Sequence, residues 1–288
     1  MMNEAAIGVI GGSGLYAMDG FVETERREVV TPFGAPSDVL VGGEISGRKV
    51  WFLPRHGRKH NILPHEINHR ANIWALKSLG VEFIICVTAV GSLKEEYVPR
   101  HIVLPDQFFD RTSRRNEHTF FGNGIAAHIG FSEPVSAGLR DILHQSCLAE
   151  GAVVHNGGTY VNMDGPAFST KAESLANRQL GFDVIGMTNL AEAKLAREAE
   201  IAMATLSMIT DYDCWHPGHD AVDVQTVVSH LKANAVLAQR VICHAVQSIP
   251  LEAKWPEHGA LEYAILTPKE HWPEQTVKQL EPILKSYC

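Results

Sequence analysis

The chain is expected to form one α/β domain, a mainly parallel, mixed central sheet flanked by helices. Three observations support this. Short apolar runs of buried-strand length alternate with segments of helical periodicity along most of the chain. Hydrophobic residues make up 45% and charged residues 20% of the 288 positions, enough to enclose a sizeable core. No repeat, low-complexity stretch or linker divides the sequence, so residues 1–288 read as a single domain. The tail after about 250 follows no assignable pattern.

Residues 6–10 read as a buried strand ending in Gly11-Gly12-Ser13-Gly14, and 39–53 as a hairpin through Gly42-Gly43 and Ser46-Gly47. Residues 64–79 carry helical spacing (Ile67, Ala71, Trp74, Ala75), with Pro64 at the start and Gly80 past the end. A strand at 83–87 is followed by a loop-rich stretch to about 131, then a helix over 136–150 that Gly151 stops. Strands at 158–163 and 183–187 bracket a helix over 169–180. Another helix, 191–199, has Asn189 and Glu192 spaced as a capping pair. An apolar run at 201–209 has the composition of a buried parallel strand, and a long amphipathic helix covers about 222–247.

The formal net charge of −8 and the lack of a basic block argue against nucleic acid as the main partner. An anionic substrate therefore needs a locally positive pocket. The N-terminal residues lack a basic, apolar leader, and no run approaches membrane-spanning length. The five cysteines (Cys86, Cys147, Cys214, Cys243, Cys288) are scattered without CxxC spacing. They read as reduced thiols, which points to the cytoplasm and away from a disulfide or zinc framework.

Thr210-Asp211-Tyr212-Asp213-Cys214-Trp215 closes the run at 201–209. Carboxylates at i and i+2 on a strand point the same way, toward the crevice where open α/β sheets bind ligands. Two acids there can share one proton; the alternative is a solvated turn. Leu53-Pro54-Arg55-His56-Gly57-Arg58-Lys59-His60 concentrates positive donors after another strand: Arg offers a planar fork for phosphate, and His a donor that can switch charge. Here the alternative is a solvated basic turn. With Ser13 and Thr88, three strand ends supply anion donors.

Gly12-Ser13-Gly14 matches a relaxed dinucleotide fingerprint. Residues 31–36 form a loop where a second strand and its acid belong, so a turn around a single phosphate fits better. His65-Glu66-Ile67-Asn68-His69 is a literal HExxH, the signature of a zinc hydrolase. The third-ligand spacing fails, because Asn72 and Ala75 stand at its Gly and His positions.

Taken together, these residues resemble the trimeric purine nucleoside phosphorylase family. The likeness runs from Ile7 to about Ile249. It also includes Ala71-Asn72-Ile73-Trp74-Ala75-Leu76-Lys77, Thr88-Ala89-Val90-Gly91-Ser92-Leu93, Asp106-Gln107-Phe108, Asp164-Gly165-Pro166-Ala167-Phe168-Ser169, Met187-Thr188-Asn189 and Glu192-Ala193-Lys194-Leu195-Ala196.

The resemblance implies phosphorolysis of 5′-methylthioadenosine to adenine and 5-methylthioribose 1-phosphate by a homotrimer. Nucleoside and inorganic phosphate are its small-molecule partners; no metal or other cofactor, nucleic acid or membrane is involved. It assigns phosphate to Ser13, Arg55, His56, Thr88, the Ala89 backbone and Thr188, and ribose to Met187. Phe168, Ser169, Asp211 and Asp213 surround the base, and His128 of a neighbouring subunit covers the methylthio group. Val224 and Val227, at i and i+3 on the long helix, are expected to face that group.

Asp211 is the expected proton donor to the base, its pKa raised by burial and by Asp213. The family's 6-oxopurine members carry Asn in place of Asp211 and Glu in place of Ser169, so both positions favour a 6-aminopurine. A general purine nucleoside phosphorylase and a methylthioinosine phosphorylase remain the alternatives. Relatives often carry Thr in place of Ser13, Arg in place of Ala167 and Pro in place of Ala191. The family helix matching the HExxH segment carries no metal.

Overall fold

A computed structural model describes residues 5–12, 18–218 and 224–288. Its strands are β1 (Ala6–Gly11), β2 (Phe21–Arg27), β3 (Leu40–Ile45), β4 (Arg48–Pro54), β5 (Val81–Ser92) and β6 (Ile102–Leu104). They continue with β7 (Gln107–Asp110), β8 (Val154–Asn156), β9 (Thr159–Asn162), β10 (Val184–Gly186) and β11 (Ala202–Asp211). The helices are α1 (His69–Ser78), α2 (Ala137–Ala149), α3 (Lys171–Gln179), α4 (Asn189–Glu198), α5 (Val224–Ser248), α6 (Glu274–Gln279) and α7 (Glu281–Leu284).

The strands join in one mixed sheet of order β2-β3-β4-β1-β5-β10-β9-β7, with β11, β6 and β8 branching from β5. At its centre β4, β1, β5 and β11 run parallel, so their carboxyl ends share one edge. Side chains alternate between two faces, as strand geometry requires. Ile7, Val9, Phe83 and Ile85 pack toward α2 and α5 with Leu139, Leu143, Ile242 and Val246. Ile10, Ile84 and Cys86 pack toward α1 and α4 with Ile73, Leu76, Ala193 and Ala196.

The expected α/β architecture is borne out, with local differences. The segment expected as one helix over 64–79 is a 3-10 turn at Pro64–Glu66 and then α1, because Asn68 caps α1 with its side chain on the Ala71 N–H. In the 39–53 hairpin the chain reverses at Ser46-Gly47 (φ 53° and 76°). Gly42 lies inside β3, where a Cβ would stand 2.6 Å from the Trp51 ring. The stretch expected as loop contains β6 and β7, three and four residues long, too short for a periodic signal. The tail is packed: Trp74 Nε1 donates to the Gln279 carbonyl, and Leu280, Ile283 and Leu284 are buried beside α1 and α4. Among the described residues no helix is long and apolar enough to cross a membrane.

Candidate functional site

The shared carboxyl edge of β4, β1, β5 and β11 carries most of the expected residues. Arg55 follows β4 directly, its N–H donating to the Gly11 carbonyl at the end of β1. Its guanidinium is only 3% exposed. Nε and Nη2 donate to Glu192 Oε1 and Oε2 at 2.5 and 2.9 Å, and Nη1 donates to the Val87 carbonyl at 2.8 Å. The fork expected to grip phosphate is thus occupied by Glu192, leaving one N–H on each of Nη1 and Nη2. Arg55 is a buried ion-paired residue, not part of a solvated basic turn. Burial opposes its charge, and Glu192 outweighs burial, holding the proton more tightly than usual.

Glu192 is not a helix cap either. Thr188 is the N-cap of α4, and Glu192 turns inward, accepting from Asn189 Nδ2 and Cys86 Sγ as well. The capping spacing was met by residues that face the core.

His56 departs from expectation in polarity. Its Nδ1 lies 2.9 Å from the Ile62 carbonyl, which only accepts, so Nδ1 carries the proton. Burial pushes its pKa down to about 4, with Arg55 and His60 adding to the fall. Near neutral pH the ring therefore presents Nε2 as an acceptor, suited to a hydroxyl of protonated phosphate.

Thr88 and Ala89 lie on β5 opposite Ser207 and Met208 of β11. Thr188 is buried at the start of α4 and its side chain makes no capping bond, so its hydroxyl is available to an anion, while the Leu190 N–H of the same helix end donates to Asn162 Oδ1 at 3.0 Å. Tyr160, wholly buried, places its hydroxyl near Thr88 and the Thr188 backbone. It fits only because residue 186 is glycine: a Cβ there would lie 1.8 Å from Tyr160 Oη. Sequence reading missed Tyr160 and Gly186, which carry no local signal in the short strand Thr159–Asn162 or at its neighbour β10. Met187 packs against the Gly165-Pro166 turn, where a Cβ on Gly165 would stand 2.5 Å from its Sδ.

β11 ends at Asp211, opposite Gly91, with a register shift after Ile209. Asp213 is not on the strand. Its φ of 50° curls the chain so that its N–H donates to Asp211 Oδ1 at 2.8 Å. The acids are therefore linked from backbone to carboxylate, not by two side chains aimed in parallel. Thr210 Oγ1 donates to Asp211 Oδ2 at 2.7 Å. Burial nonetheless pushes the Asp211 pKa up to about 6; the Thr210 and Asp213 donors oppose the rise and the Asp213 charge adds to it. Burial also raises Asp213, opposed by the Ser174 and Ser169 hydroxyls nearby. Asp213 Oδ2 is buried without a hydrogen-bond partner among the described residues. Cys214 Sγ donates to the Ser169 carbonyl, drawing this turn to the segment before α3. Beside Ser169, Phe168 is 43% exposed.

Four expected residues are not placed at this edge. Ser13 and the side chains of Val224 and Val227 lie outside the described residues. His128 sits apart from this edge, in a surface hollow with Phe121, Ile125 and Thr267, its N–H bonded to the Ala264 carbonyl.

The HExxH segment does not form a zinc helix. His65 is in the 3-10 turn and His69 opens α1 after the break at Asn68. Among the described residues neither Nδ1 atom, both buried, has a hydrogen-bond partner, and His69 Nδ1 stands 3.9 Å from Glu192 Oε1. Among the described residues no three His, Cys, Asp or Glu side chains are grouped to hold a metal ion.

Comparison with known proteins bears on the family and the fold. The family model of the phosphorylase superfamily matches residues 6–247. The S-methyl-5′-thioadenosine phosphorylases of Geobacter sulfurreducens and Chloroflexus aurantiacus are 53% and 54% identical over 284 and 286 residues, covering 99% of either chain in both cases. The crystal structure of a methylthioadenosine phosphorylase sourced from an Antarctic soil metagenomic library is similar, with a TM-score of 0.93 at 46% identity over 98% of this chain and 99% of that one. Methylthioadenosine phosphorylase from Schistosoma mansoni in complex with adenine gives 0.83 at 33% identity, with the same coverage.

Proposed function

Because this chain belongs to the phosphorylase superfamily, we propose that it cleaves 5′-methylthioadenosine with inorganic phosphate, releasing adenine and 5-methylthioribose 1-phosphate. The observation that carries the reading is a spacing. Thr88 and Gly91 are three residues apart on β5, about 10 Å at strand rise, and Asp211 stands opposite Gly91. An acid and a set of anion donors are thus separated by roughly the length of a ribosyl unit, on one edge of the sheet.

Cleaving the bond between C1′ and N9 builds positive charge on the sugar and negative charge on the departing base. Phosphate, held by Ser13, Thr88, the Ala89 N–H, Thr188 and the free N–H groups of Arg55, stabilises the first charge and then captures C1′. His56 Nε2 accepts from the phosphate hydroxyl. Because Arg55 and Glu192 together are neutral, hydrogen-bond dipoles supply most of the field at the anion. Met187 lies against ribose, and Phe168 and Ser169 against the base.

Asp211 protonates the base at N7, a task suited to a carboxyl whose pKa has been raised toward neutrality. Adenine offers an acceptor at N7 beside a donor amino group, matching a carboxyl that donates from one oxygen and accepts at the other. Asp213 tunes Asp211. Val224, Val227 and a neighbouring subunit's His128 close the methylthio pocket, so the working form is an oligomer, a homotrimer by resemblance to the trimeric family. The enzyme needs no metal or other cofactor, takes no nucleic-acid or membrane partner, and works in the cytoplasm.

The test is adenine release from 5′-methylthioadenosine with phosphate present or omitted, and with a chelator, alongside adenosine and inosine. Full turnover without phosphate, or loss with chelator, would sink the reading. Faster turnover of inosine would move the substrate to the 6-oxopurines. Mass measurement checks the oligomer, since a fully active monomer contradicts the shared pocket.

A further inference from the structure

The Asp211 carboxyl is gripped on both oxygens, and the two grips differ. Oδ1 accepts from the Asp213 backbone N–H at 2.8 Å, a donor that cannot rotate away. Oδ2 accepts from Thr210 Oγ1 at 2.7 Å, and the same hydroxyl lies 3.3 Å from the Val90 carbonyl. A hydroxyl has one proton and can turn. Thr210 is 1% exposed, so no bulk water competes for it.

A neutral carboxyl keeps its better acceptor, the C=O oxygen, toward a fixed N–H. Oδ1 therefore remains the carbonyl oxygen and the acid proton resides on Oδ2. Resting on the proposed phosphorolysis, we propose that Thr210 is a positioning residue whose hydroxyl holds Asp211 Oδ2 and adjusts its donation as that oxygen gains and loses the proton.

With the base bound, the Oδ2–H bond breaks and an N7–H bond forms, while the electrons of the N9–C1′ bond pass to the base. Oδ2 is left anionic, and Thr210 donates to it fully, stabilising the charge that develops there. When solvent returns the proton, Oδ2 becomes the weaker acceptor and the hydroxyl donates to the Val90 carbonyl instead, leaving Oδ2–H free for N7. The carboxyl plane stays fixed in both states.

The surroundings leave few competitors for this role. Gly91 of β5 faces the carboxyl and Ile185 of β10 borders the same space, and neither carries a titratable group. Asp213 is the charged group acting on Asp211. Glu173 of α3 acts on Asp213, and Glu173 and Lys171 act on Cys214.

The experiment is the pH dependence of kcat/KM for 5′-methylthioadenosine at saturating phosphate. It compares wild type, Thr210→Val, Thr210→Ser and Asp211→Asn, with the Asp211 carboxyl followed by 13C NMR titration. A general acid is active when protonated, so activity falls as pH rises through its pKa, near pH 6 for the free wild-type enzyme. Phosphate ionises identically in every sample, so only differences between variants count.

Removing the hydroxyl removes a donor to the carboxylate, so Thr210→Val should move both the alkaline limb and the NMR titration up by about one pH unit. Thr210→Ser, which keeps the hydroxyl, should match wild type. If Thr210→Val lowers activity equally at all pH values and leaves the titration in place, the proposal is overturned while the acid role of Asp211 stands. If Asp211→Asn keeps the limb and the activity, the acid assignment fails and takes this proposal with it. Should the valine variant fail to fold, Thr210→Ala is read against the same two outcomes.

Discussion

Arg55 and Glu192 meet at both arms of the guanidinium fork, with side-chain exposures of 3% and 0%. A buried pair of this kind is strongly destabilised by losing one member, because the survivor is left charged and unpaired.

Arg55→Ala should therefore lower stability by about 3–5 kcal/mol as well as weaken phosphate use. Arg55→Met combined with Glu192→Leu should recover most of the stability without restoring phosphate use. Urea midpoints and phosphate KM values for the single and double variants check this. A double variant with normal phosphate kinetics would show that the pair has no part in the site.

Gly91 leaves the space that the Asp211 carboxyl fills. A Cβ at 91 would lie 2.9 Å from Asp211 Oδ1, 3.1 Å from Ile185 Cγ2 and 3.3 Å from the Asp213 nitrogen. Gly91→Ala should thus displace the acid and lower kcat by about 10²-fold, the cost of a misplacement near 1 Å. Phosphate KM should change little, since Thr88 lies three residues away on β5. A larger effect on phosphate than on kcat would contradict that division of labour.

Asp211→Asn keeps the shape, removes the acid proton and turns one oxygen into a donor. Turnover of 5′-methylthioadenosine should fall about 10²–10⁴-fold, the usual loss when general acid catalysis is removed. Inosine, whose 6-oxygen gains a donor, should fall much less or improve. Asp213→Asn should be milder, because Asp213 reaches Asp211 through its backbone N–H, which the substitution retains. Steady-state kinetics on both nucleosides decides the point.

His69 and His56 give the fold a dependence on pH. Burial pushes both pKa values down to about 4, with Glu192 opposing the fall at both. In the unfolded chain they titrate near 6.5, so between those values the unfolded state binds more protons. Each therefore contributes stability that is fully present above about pH 6.5 and is lost as pH falls toward 4. For His69, almost wholly buried, the loss amounts to about 2 kcal/mol by pH 4.5. His69→Gln should flatten the decline by about one proton. Denaturant midpoints between pH 7.5 and 4.5 measure it, and an unchanged slope would count against a neutral buried imidazole.

How legible the site was depended on how local its causes are. Asp211 and Arg55 were visible because each ends a strand in a residue that a strand rarely tolerates without a use. The partners that set their chemistry were not visible. Glu192 carried the spacing of a cap, yet it lies 137 positions from the Arg55 it binds. Asp213 had the spacing of a strand residue, but a positive φ at a non-glycine position is dictated by the packing around it. HExxH had the letters of a metal helix, and one asparagine cap divided it.

The sequence by itself determined the alternation of strands and helices, the family, and which strand ends bear polar groups, because periodicity, turn residues and short motifs are local properties of the chain. Only the tertiary structure decided what those groups do. It set the parallel register that stands Asp211 opposite Gly91, enclosed Arg55 with Glu192, and desolvated His56 into an acceptor and Asp211 into an acid near neutrality. The physical reason is that burial and hydrogen-bond partners are supplied by residues remote in the chain. A side chain's charge and donor pattern follow from its surroundings more than from its neighbours in sequence.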